Sequence, residues 1–422
     1  MLNEVKSSSF IAVIAVSILL RIAFAFATPN WQAPDEYPHF YVLKHLALTG
    51  SLVKSKPEFP TYEGFQPPLY YFITAQLYKI VLPWDKLPPD PNYSIDPDTD
   101  TQSRNGALIF LRLFSVALGT LTLLVIFKIG LLIFPNTPDC SLLTLALAGF
   151  LPTFIVNSAS VTNDALANLI GAVLLWMLLL PPGRFEALWV GIVLGLGMLT
   201  KASIWMFVLL VPVALFLRQK DLVAVARKSF IVLLVALVIS GWFFLRNFNR
   251  YGNILAILPG FEKVSPLSDH TLADFWRVVR NMNWSFWAAA GRTYEIHLAP
   301  VVYVVVFLPL TLLALAGVAR MAFKRIPMDS GKFPFEISGH AFLTLGIILA
   351  AEVLAAMYYS LMYPINCAWG KYVYPVLPAI AILFVTGMYR MLGEAIAGRV
   401  LQIFNLVLLG VSGYLLWMLA SA

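Results

Sequence analysis

The sequence predicts an all-α protein that crosses a membrane many times, and two observations support this prediction. Of its 422 residues, 60% are hydrophobic and only 12% are charged, whereas a soluble domain usually carries about 25% charged residues. Long apolar runs also recur from near the N-terminus to the C-terminus, and runs of about 17 to 25 apolar residues are typical of membrane-spanning helices. The net charge of +7 then indicates basic cytoplasmic loops rather than a nucleic-acid partner.

The first apolar run extends from Phe10 to Ala27. Its last residues, Ala25-Phe26-Ala27, resemble a signal-peptide cleavage site. The run is longer than the apolar part of a normal signal peptide, and it contains Arg21. We therefore expect an uncleaved first span, with a cleaved signal peptide as the alternative.

Further apolar runs bring the expected total to about eleven spans. The predicted spans lie near residues 9–28, 106–134, 141–160, 164–180, 186–199, 202–217, 229–246, 298–319, 337–360, 373–390 and 399–420. The two around Lys201 are short. They are predicted as a hairpin of short tilted helices or as one bent helix, and a single helix would reverse the orientation of every later span.

Lysine and arginine collect in the cytoplasmic loops of membrane proteins. With the N-terminus inside and the Lys201 hairpin formed, the short cytoplasmic loops hold most of the basic loop residues, namely Arg184, Arg218, Lys220, Arg227, Lys228, Arg320, Lys324, Arg325, Lys332, Arg390 and Arg399. This distribution predicts a multi-pass plasma (inner) membrane protein whose two long loops, residues 29–105 and 247–297, face outside. Cys140 and Cys367 then lie on opposite sides of the membrane and should not pair.

Both long outer loops are predicted to contain helices that lie in the membrane interface. Residues 65–82 are aromatic and apolar but too short to span, and residues 272–290 combine three tryptophans with Arg277 and Arg280. Residues 87–105 are predicted as an irregular loop. We expect one transmembrane domain over residues 1–422, without an appended soluble domain.

Asp35 and Glu36 follow directly after the first predicted span, with Pro38 and His39 just beyond them. Acids often complement the dipole at the start of a helix, but a proline inside that helix would clash with the preceding turn. We therefore predict a helix that begins at Pro38 and ends at Gly50, with both acids on a short extended loop before it. Two negative charges at a membrane surface are costly unless they act on a cation or a proton. From spacing alone, a structural role and a chemical role stay equally open.

Four other charged residues stand at predicted outer ends of spans: Asp164, Lys201, Arg246 and Lys371. Each alone has a simple explanation, since Arg and Lys reach out to lipid headgroups and Asp caps helices. Acids and bases gathered at one membrane face are harder to explain in this way. They predict a polar site beneath the two outer loops.

The order and spacing of these motifs resemble the GT-C superfamily of membrane glycosyltransferases from about residue 9 to residue 390. Besides the Asp-Glu pair, the resemblance rests on "FQPPLYYF", "TNDALANL", "LTKASIWMFVLLVP", "GWFFLRNFNRYGN" and "GKYVYPVLP". The most similar branches are the protein O-mannosyltransferases and the aminoarabinose transferases that modify lipid A. The resemblance implies transfer of a sugar from a polyprenyl-phosphate donor to a lipid, glycan or protein acceptor outside the cytoplasm, usually with inversion.

The same resemblance implies roles for single residues. Asp35 would be the catalytic acid of the first loop and its general base, with Glu36 as its neighbour and Asp164 as the acid of the second loop. The candidate ligands of the carrier phosphate or the sugar are His39, Lys201, Arg246, Asn247, Arg292, Lys371 and Tyr372. The phosphate needs positive charge, from lysine and arginine or from a divalent ion such as Mg²⁺ or Mn²⁺ held by Asp35 and Asp164. The sequence leaves these two possibilities open.

Two departures from the family leave the sugar and the acceptor open. Mannosyltransferase-type relatives often have His-Pro-Pro where this chain has Gln66-Pro67-Pro68, and the soluble acceptor-binding domains of some branches are missing.

Two other classes of function stay as alternatives. A transporter or flippase for polyprenyl-linked glycans or lipids would carry charges near the bilayer midplane, whereas the charges here stand at predicted outer ends, Arg21 and Arg112 included. An O-antigen polymerase or ligase would work on a similar donor at the same face, with its chemistry expected on Arg and His.

Overall fold

The computed structural model describes residues 7–53, 63–100, 104–255, 269–323, 337–362 and 369–421, and most of them are helical. The α-helices are α1 (Ser7–Ala27), α2 (Glu36–Thr49), α3 (Leu69–Val81), α4 (Gly106–Ile133), α5 (Pro138–Gly149), α6 (Pro152–Ser158), α7 (Asp164–Leu179), α8 (Glu186–Met198), α9 (Phe207–Gln219), α10 (Leu222–Tyr251), α11 (Leu272–Trp287), α12 (Pro300–Val302), α13 (Leu308–Phe323), α14 (Gly339–Met362), α15 (Leu377–Leu392) and α16 (Glu394–Ser421). A π-helical turn, Tyr303–Phe307, joins α12 to α13. The strands β1 (Ala289–Ala290) and β2 (Ile296–His297) form a small antiparallel ribbon, with Ala289 opposite His297.

Eight helical segments in the described ranges are long and apolar enough to cross a membrane. They are Ser8–Ala27, Gly106–Ile133, Ala202–Gln219, Leu222–Tyr251, Pro300–Ala322, Gly339–Met362, Gly370–Leu392 and Glu394–Ser421. The bent pair of α5 and α6 gives a ninth, and α7 and α8 are shorter apolar helices. These findings confirm a polytopic all-α membrane fold. The total of eleven spans stays a prediction, because α7 and α8, with 16 and 13 residues, are shorter than an ordinary crossing.

The structure corrects the predicted helix over 141–160. The chain breaks there after α5, and α6 leaves at an angle of 66°. Pro152 explains the break, since proline cannot donate to the preceding turn but fits well as the first residue of a new helix. Around Lys201, α8 and α9 are two separate helices joined by the 3₁₀ helix Ala202–Met206.

The centre of the bundle is the segment Gly370–Leu392, in which an 18-residue apolar stretch is 89% buried inside the protein. Its helix α15 packs on α13, α5 and α16, while α4 packs on α7, α5 and α1. Gly317 of α13 and Gly387 of α15 permit the close approach of these two helices, because a Cβ at either position would overlap the backbone of the other helix. Small residues therefore allow close packing of α13 against α15.

The first long loop, residues 29–105, which the sequence predicts to face outside, contains two helices, α2 and α3. The predicted start of the first of these at Pro38 is wrong: α2 begins at Glu36, so Tyr37 is helical rather than extended. Pro38 is tolerated as the third residue because the first N–H groups of a helix have no intrahelical acceptor. The predicted end is confirmed, since Gly50 follows the helix in the left-handed conformation with φ 70°.

The other predicted loop helices are also present. The helix α3 lies within residues 65–82, and α11 lies within 272–290, where Thr271 and Asp274 form a capping box at its start. Cys140 is buried in α5. Several residues of the sequence analysis lie outside the described ranges, namely Lys324, Arg325, Lys332 and Cys367.

Candidate active site

Four charged residues from four separate segments meet in one ion network. Lys371 donates a hydrogen bond to Asp35 Oδ2, and its Nζ lies 3.3 Å from Asp164 Oδ2. Lys201 donates to the other oxygen of Asp164. Asp35, Lys371, Asp164 and Lys201 thus form a continuous alternation of acids and bases, and they are called the ion network below.

Each member stands at the end of a helix. Asp35 directly precedes α2, and Asp164 is the first residue of α7. Lys201 precedes the 3₁₀ helix Ala202–Met206 in an extended conformation. Lys371 belongs to the 3₁₀ helix Gly370–Val376, which packs against α11. The contact requires the glycine before Lys371, since a Cβ there would overlap the backbone of α11.

Exposure differs strongly along the ion network. The side chains of Lys371 and Asp164 are 2% and 5% exposed, whereas Asp35 is 29% exposed. Burial alone would raise the pKa of Asp35, but the attraction of Lys371 and the hydrogen bond from it hold that pKa below its usual value. Asp35 is therefore an ionised carboxylate that outside molecules can reach.

Glu36 has different partners from Asp35. Its carboxylate accepts bonds of 2.8 and 2.6 Å from Nε and Nη2 of Arg112, and a third of 3.2 Å from the N–H of Val161. Arg112 also donates to the carbonyls of Ala25, Thr28 and Pro29. Both charged side chains are buried. This arrangement fastens the first outer loop to α4, and it gives Glu36 a structural role beside the catalytic one that the sequence predicts.

His39 lies beside the ion network. It is buried, and its Nδ1 lies 2.6 Å from the hydroxyl of Tyr71. Burial lowers the pKa of His39 to about 3, although Asp35 opposes this shift. The imidazole is therefore neutral at physiological pH.

Four other predicted ligands have partners elsewhere. Arg246 and Asn247, in the last turns of α10, share a hydrogen bond of 3.1 Å. Arg292 donates to Asp98 across 2.9 Å at the surface. The ring of Tyr372 meets that of Tyr359 edge to face, with 5.4 Å between centroids.

The sequence analysis missed two residues beside the ion network. Glu63 is 7% exposed, and burial together with the charge of Asp35 raises its pKa to about 7. The sequence feature that could have pointed to Glu63 is its position, three residues before the Gln66-Pro67-Pro68 motif. Tyr294 places its ring 5.9 Å from Lys371 Nζ and donates to Asn157 across 2.9 Å. No spacing in the sequence points to Tyr294, because its neighbours come from distant segments.

The divalent ion predicted at Asp35 and Asp164 would have to share both carboxylates with Lys371. Lys371 Nζ already lies between the two carboxylates and contacts both. Among the described residues, no group of three or more His, Cys, Asp or Glu side chains could hold a metal ion. The positive charge at this site is supplied by lysine side chains.

The ion network therefore lies at one end of a polytopic helical bundle, and solved structures share the fold. No protein-family model and no curated protein matches the sequence.

Three solved structures illustrate the likeness. ArnT from Cupriavidus metallidurans, in a crystal structure bound to undecaprenyl phosphate, is 18% identical with a TM-score of 0.53, over 91% of this chain and 60% of ArnT. The oligosaccharyltransferase of Archaeoglobus fulgidus, in a complex with Zn and sulfate, is 14% identical with a TM-score of 0.54. The match covers 97% of this chain and 53% of the archaeal protein. The archaeal oligosaccharyltransferase AglB from Archaeoglobus fulgidus, in complex with an inhibitory peptide and a dolichol-phosphate, is 14% identical with a TM-score of 0.51. The match covers 97% of this chain and 55% of AglB. The chain thus spans just over half of the length of these proteins, and at these identities the likeness concerns the fold.

Proposed function

We propose that this protein is a glycosyltransferase that moves a sugar from a polyprenyl-phosphate donor to an acceptor on the extracytoplasmic side. The observation that carries the proposal is the ion network, in which the accessible carboxylate of Asp35 pairs with Lys371, and Asp164 joins Lys371 to a second ammonium group, that of Lys201. Support also comes from the fold, which is similar to that of proteins solved with undecaprenyl phosphate and with dolichol-phosphate.

Asp35 is the general base of this proposal. It takes the proton of an acceptor hydroxyl while the acceptor oxygen bonds to the anomeric carbon of the sugar. The bond from that carbon to the phosphate oxygen breaks, and its electron pair leaves with the carrier phosphate. Attack from the face opposite the phosphate inverts the anomeric centre. The carrier monophosphate has gained negative charge, so ammonium groups close to it stabilise the transition state.

Lys371 and Lys201 supply these ammonium groups, and Asp164 positions both of them. A divalent metal is not needed for this step, because the lysines supply the charge. Arg246, Asn247, Arg292 and Tyr372 are proposed as further ligands of the donor or the acceptor. Their partners lie outside the ion network, so their contribution is to binding rather than to proton transfer.

The proposed orientation places the ion network outside a plasma (inner) membrane and the N-terminus in the cytoplasm. Basic residues at the other ends of the helices support it. Arg218, at the end of α9, and Lys228, near the start of α10, both pair with Glu186 at the start of α8, and exposed Lys220 and Arg227 lie close by in sequence. Basic residues favour the cytoplasmic side.

One observation favours the alternative of a lipid transporter. Glu352 lies in the middle of α14, and its side chain is 2% exposed, with no hydrogen-bond partner for Oε2 among the described residues. The sequence analysis placed the charges at the outer ends of spans and did not consider Glu352. Acids within membrane spans often mark transport pathways.

One experiment tests the proposed function and separates it from transport. The purified protein in lipid nanodiscs is incubated with a panel of radiolabelled undecaprenyl-phosphate sugars and with membrane extracts as a source of acceptors. We expect one donor to raise the melting temperature and to lose its sugar to an acceptor. A flippase would instead move labelled lipid between the leaflets of proteoliposomes without cleaving it. Movement without cleavage, for every donor in the panel, would contradict the proposal.

A further inference from the structure

The ion network is electrically balanced. It contains two carboxylates and two ammonium groups, so its formal charge is zero. Its described neighbours His39 and Glu63 add no positive charge, since burial lowers the pKa of His39 to about 3 and Glu63 is an acid. An anion that binds to these lysines therefore has to compete with a carboxylate for an ammonium group.

The two carboxylates differ in how firmly they are held. Asp164 is 5% exposed and contacts both lysines. It also lies in the first turn of α7, where the helix dipole favours a negative charge. Asp35 is 29% exposed and contacts one lysine of the ion network. Asp35 is thus the carboxylate that a competing anion can displace.

The backbone conformation of Asp35 also supports its displacement by an anion. Its φ of 55° and ψ of 12° place it in the left-handed region, which is unfavourable for a non-glycine residue unless its surroundings hold it there. The ion pair with Lys371 is one contact that holds it. Loss of that contact would let the loop before α2 relax, while the buried pair of Glu36 and Arg112 keeps the rest of the loop in place.

We infer that Lys371 exchanges partners during the reaction that is proposed above: the carrier phosphate displaces Asp35 from Lys371, and the freed carboxylate then acts as the base. While the ion pair exists, Asp35 is a weak base, because Lys371 holds its pKa below the usual value. Asp35 therefore gains basicity only after a donor has bound. Lys371 thus couples donor binding to activation of the base.

The exchange predicts that loss of the Asp35 charge strengthens phosphate binding. The measured quantity is the affinity of the full-length protein in nanodiscs for radiolabelled undecaprenyl phosphate. Asp35→Asn should bind it about fivefold more tightly than the unaltered protein, a ratio that corresponds to about 1 kcal/mol. Lys371→Gln should bind it more weakly. In the double variant the gain from Asp35→Asn should disappear, because Lys371 is the group for which phosphate and carboxylate compete.

Asp90→Asn is the matched control, since Asp90 is an exposed acid of the same outer loop and the change removes the same charge. Its affinity should equal that of the unaltered protein. If Lys371→Gln does not fold, the comparison of Asp35→Asn with Asp90→Asn still shows whether the gain in affinity is specific to the charge of Asp35.

Three results would overturn the inference, and they differ in what they leave standing. Equal affinities for the unaltered protein and Asp35→Asn would remove the exchange but not the glycosyltransferase proposal. A gain that also appears in Asp90→Asn, or that persists without Lys371, would reduce the effect to general electrostatics. No binding of undecaprenyl phosphate by the unaltered protein would remove the carrier-lipid proposal and the exchange together.

Discussion

Replacement of Glu36 by glutamine should destabilise this protein far more than replacement of its neighbour Asp35 by asparagine. Glu36 accepts two hydrogen bonds from Arg112 and one from the N–H of Val161. The glutamine side chain keeps one acceptor but turns an NH₂ group toward a buried guanidinium. Removal of one partner of a buried ion pair costs about 3 to 5 kcal/mol. Asp35 is more exposed, and Lys371 keeps Asp164 as a second partner, so Asp35→Asn should cost much less.

The assay is equilibrium unfolding in mixed detergent micelles, followed by tryptophan fluorescence. Arg112→Lys is a useful companion, because an ammonium group cannot reproduce the five hydrogen bonds that the guanidinium makes. We expect Glu36→Gln and Arg112→Lys to unfold at clearly lower denaturant than Asp35→Asn. A Glu36→Gln protein as stable as the unaltered one, yet inactive, would refute this reasoning and make Glu36 a catalytic residue.

Three further predictions concern orientation, pH and the donor. In a variant without native cysteines, Asp98→Cys should react with an impermeant thiol reagent from outside and Arg184→Cys should not; labelling of both from one side would overturn the topology. Because the pKa of Glu63 is raised to about 7, its proton stabilises the fold at low pH. Stability should therefore fall as the pH rises from about 5 to about 8, and it should fall by less in Glu63→Gln. Thermal melts in which stability changes equally with pH in both proteins would contradict this. Arg246→Ala and Arg246→Lys should both weaken donor binding, the second because a fork of donors becomes a point charge; unchanged affinities would leave Arg246 as a headgroup contact.

The helices were predictable because hydrophobic runs are a local signal. The described helices cover each apolar run that the sequence marks, and the helices of both outer loops lie where their aromatic composition placed them. Prolines were harder to interpret. Pro152 breaks a helix that the apolar pattern extends, whereas Pro38 is accommodated within the first turn of α2. Hydrophobicity alone does not distinguish these two cases, since the position of a proline within the turn decides its effect.

The candidate site was predictable as a set of residue types but not as a set of partners. Asp35 and Lys371 lie 336 positions apart, and no periodicity connects residues at such a distance. The sequence likewise grouped Glu36 with Asp35 because they are adjacent, whereas the fold turns Glu36 toward Arg112 on α4. The sequence predicts that Lys371 lies beside a phosphate, and the structure shows that it joins two carboxylates. Such pairings depend on helix packing, which is decided by the whole chain.

Single-turnover sugar transfer by Asp35→Asn tests the central claim most directly. The enzyme is first loaded with the donor that the panel identifies, and binding is measured against a blank without enzyme. The appearance of glycosylated acceptor is then followed over one turnover. Asparagine keeps the shape and hydrogen bonding of aspartate but cannot take the acceptor's proton, so the rate should fall by about 10²-fold or more, while the donor remains bound. Near-normal transfer by Asp35→Asn would contradict the account and leave the acid pair as a charged feature of the outer surface.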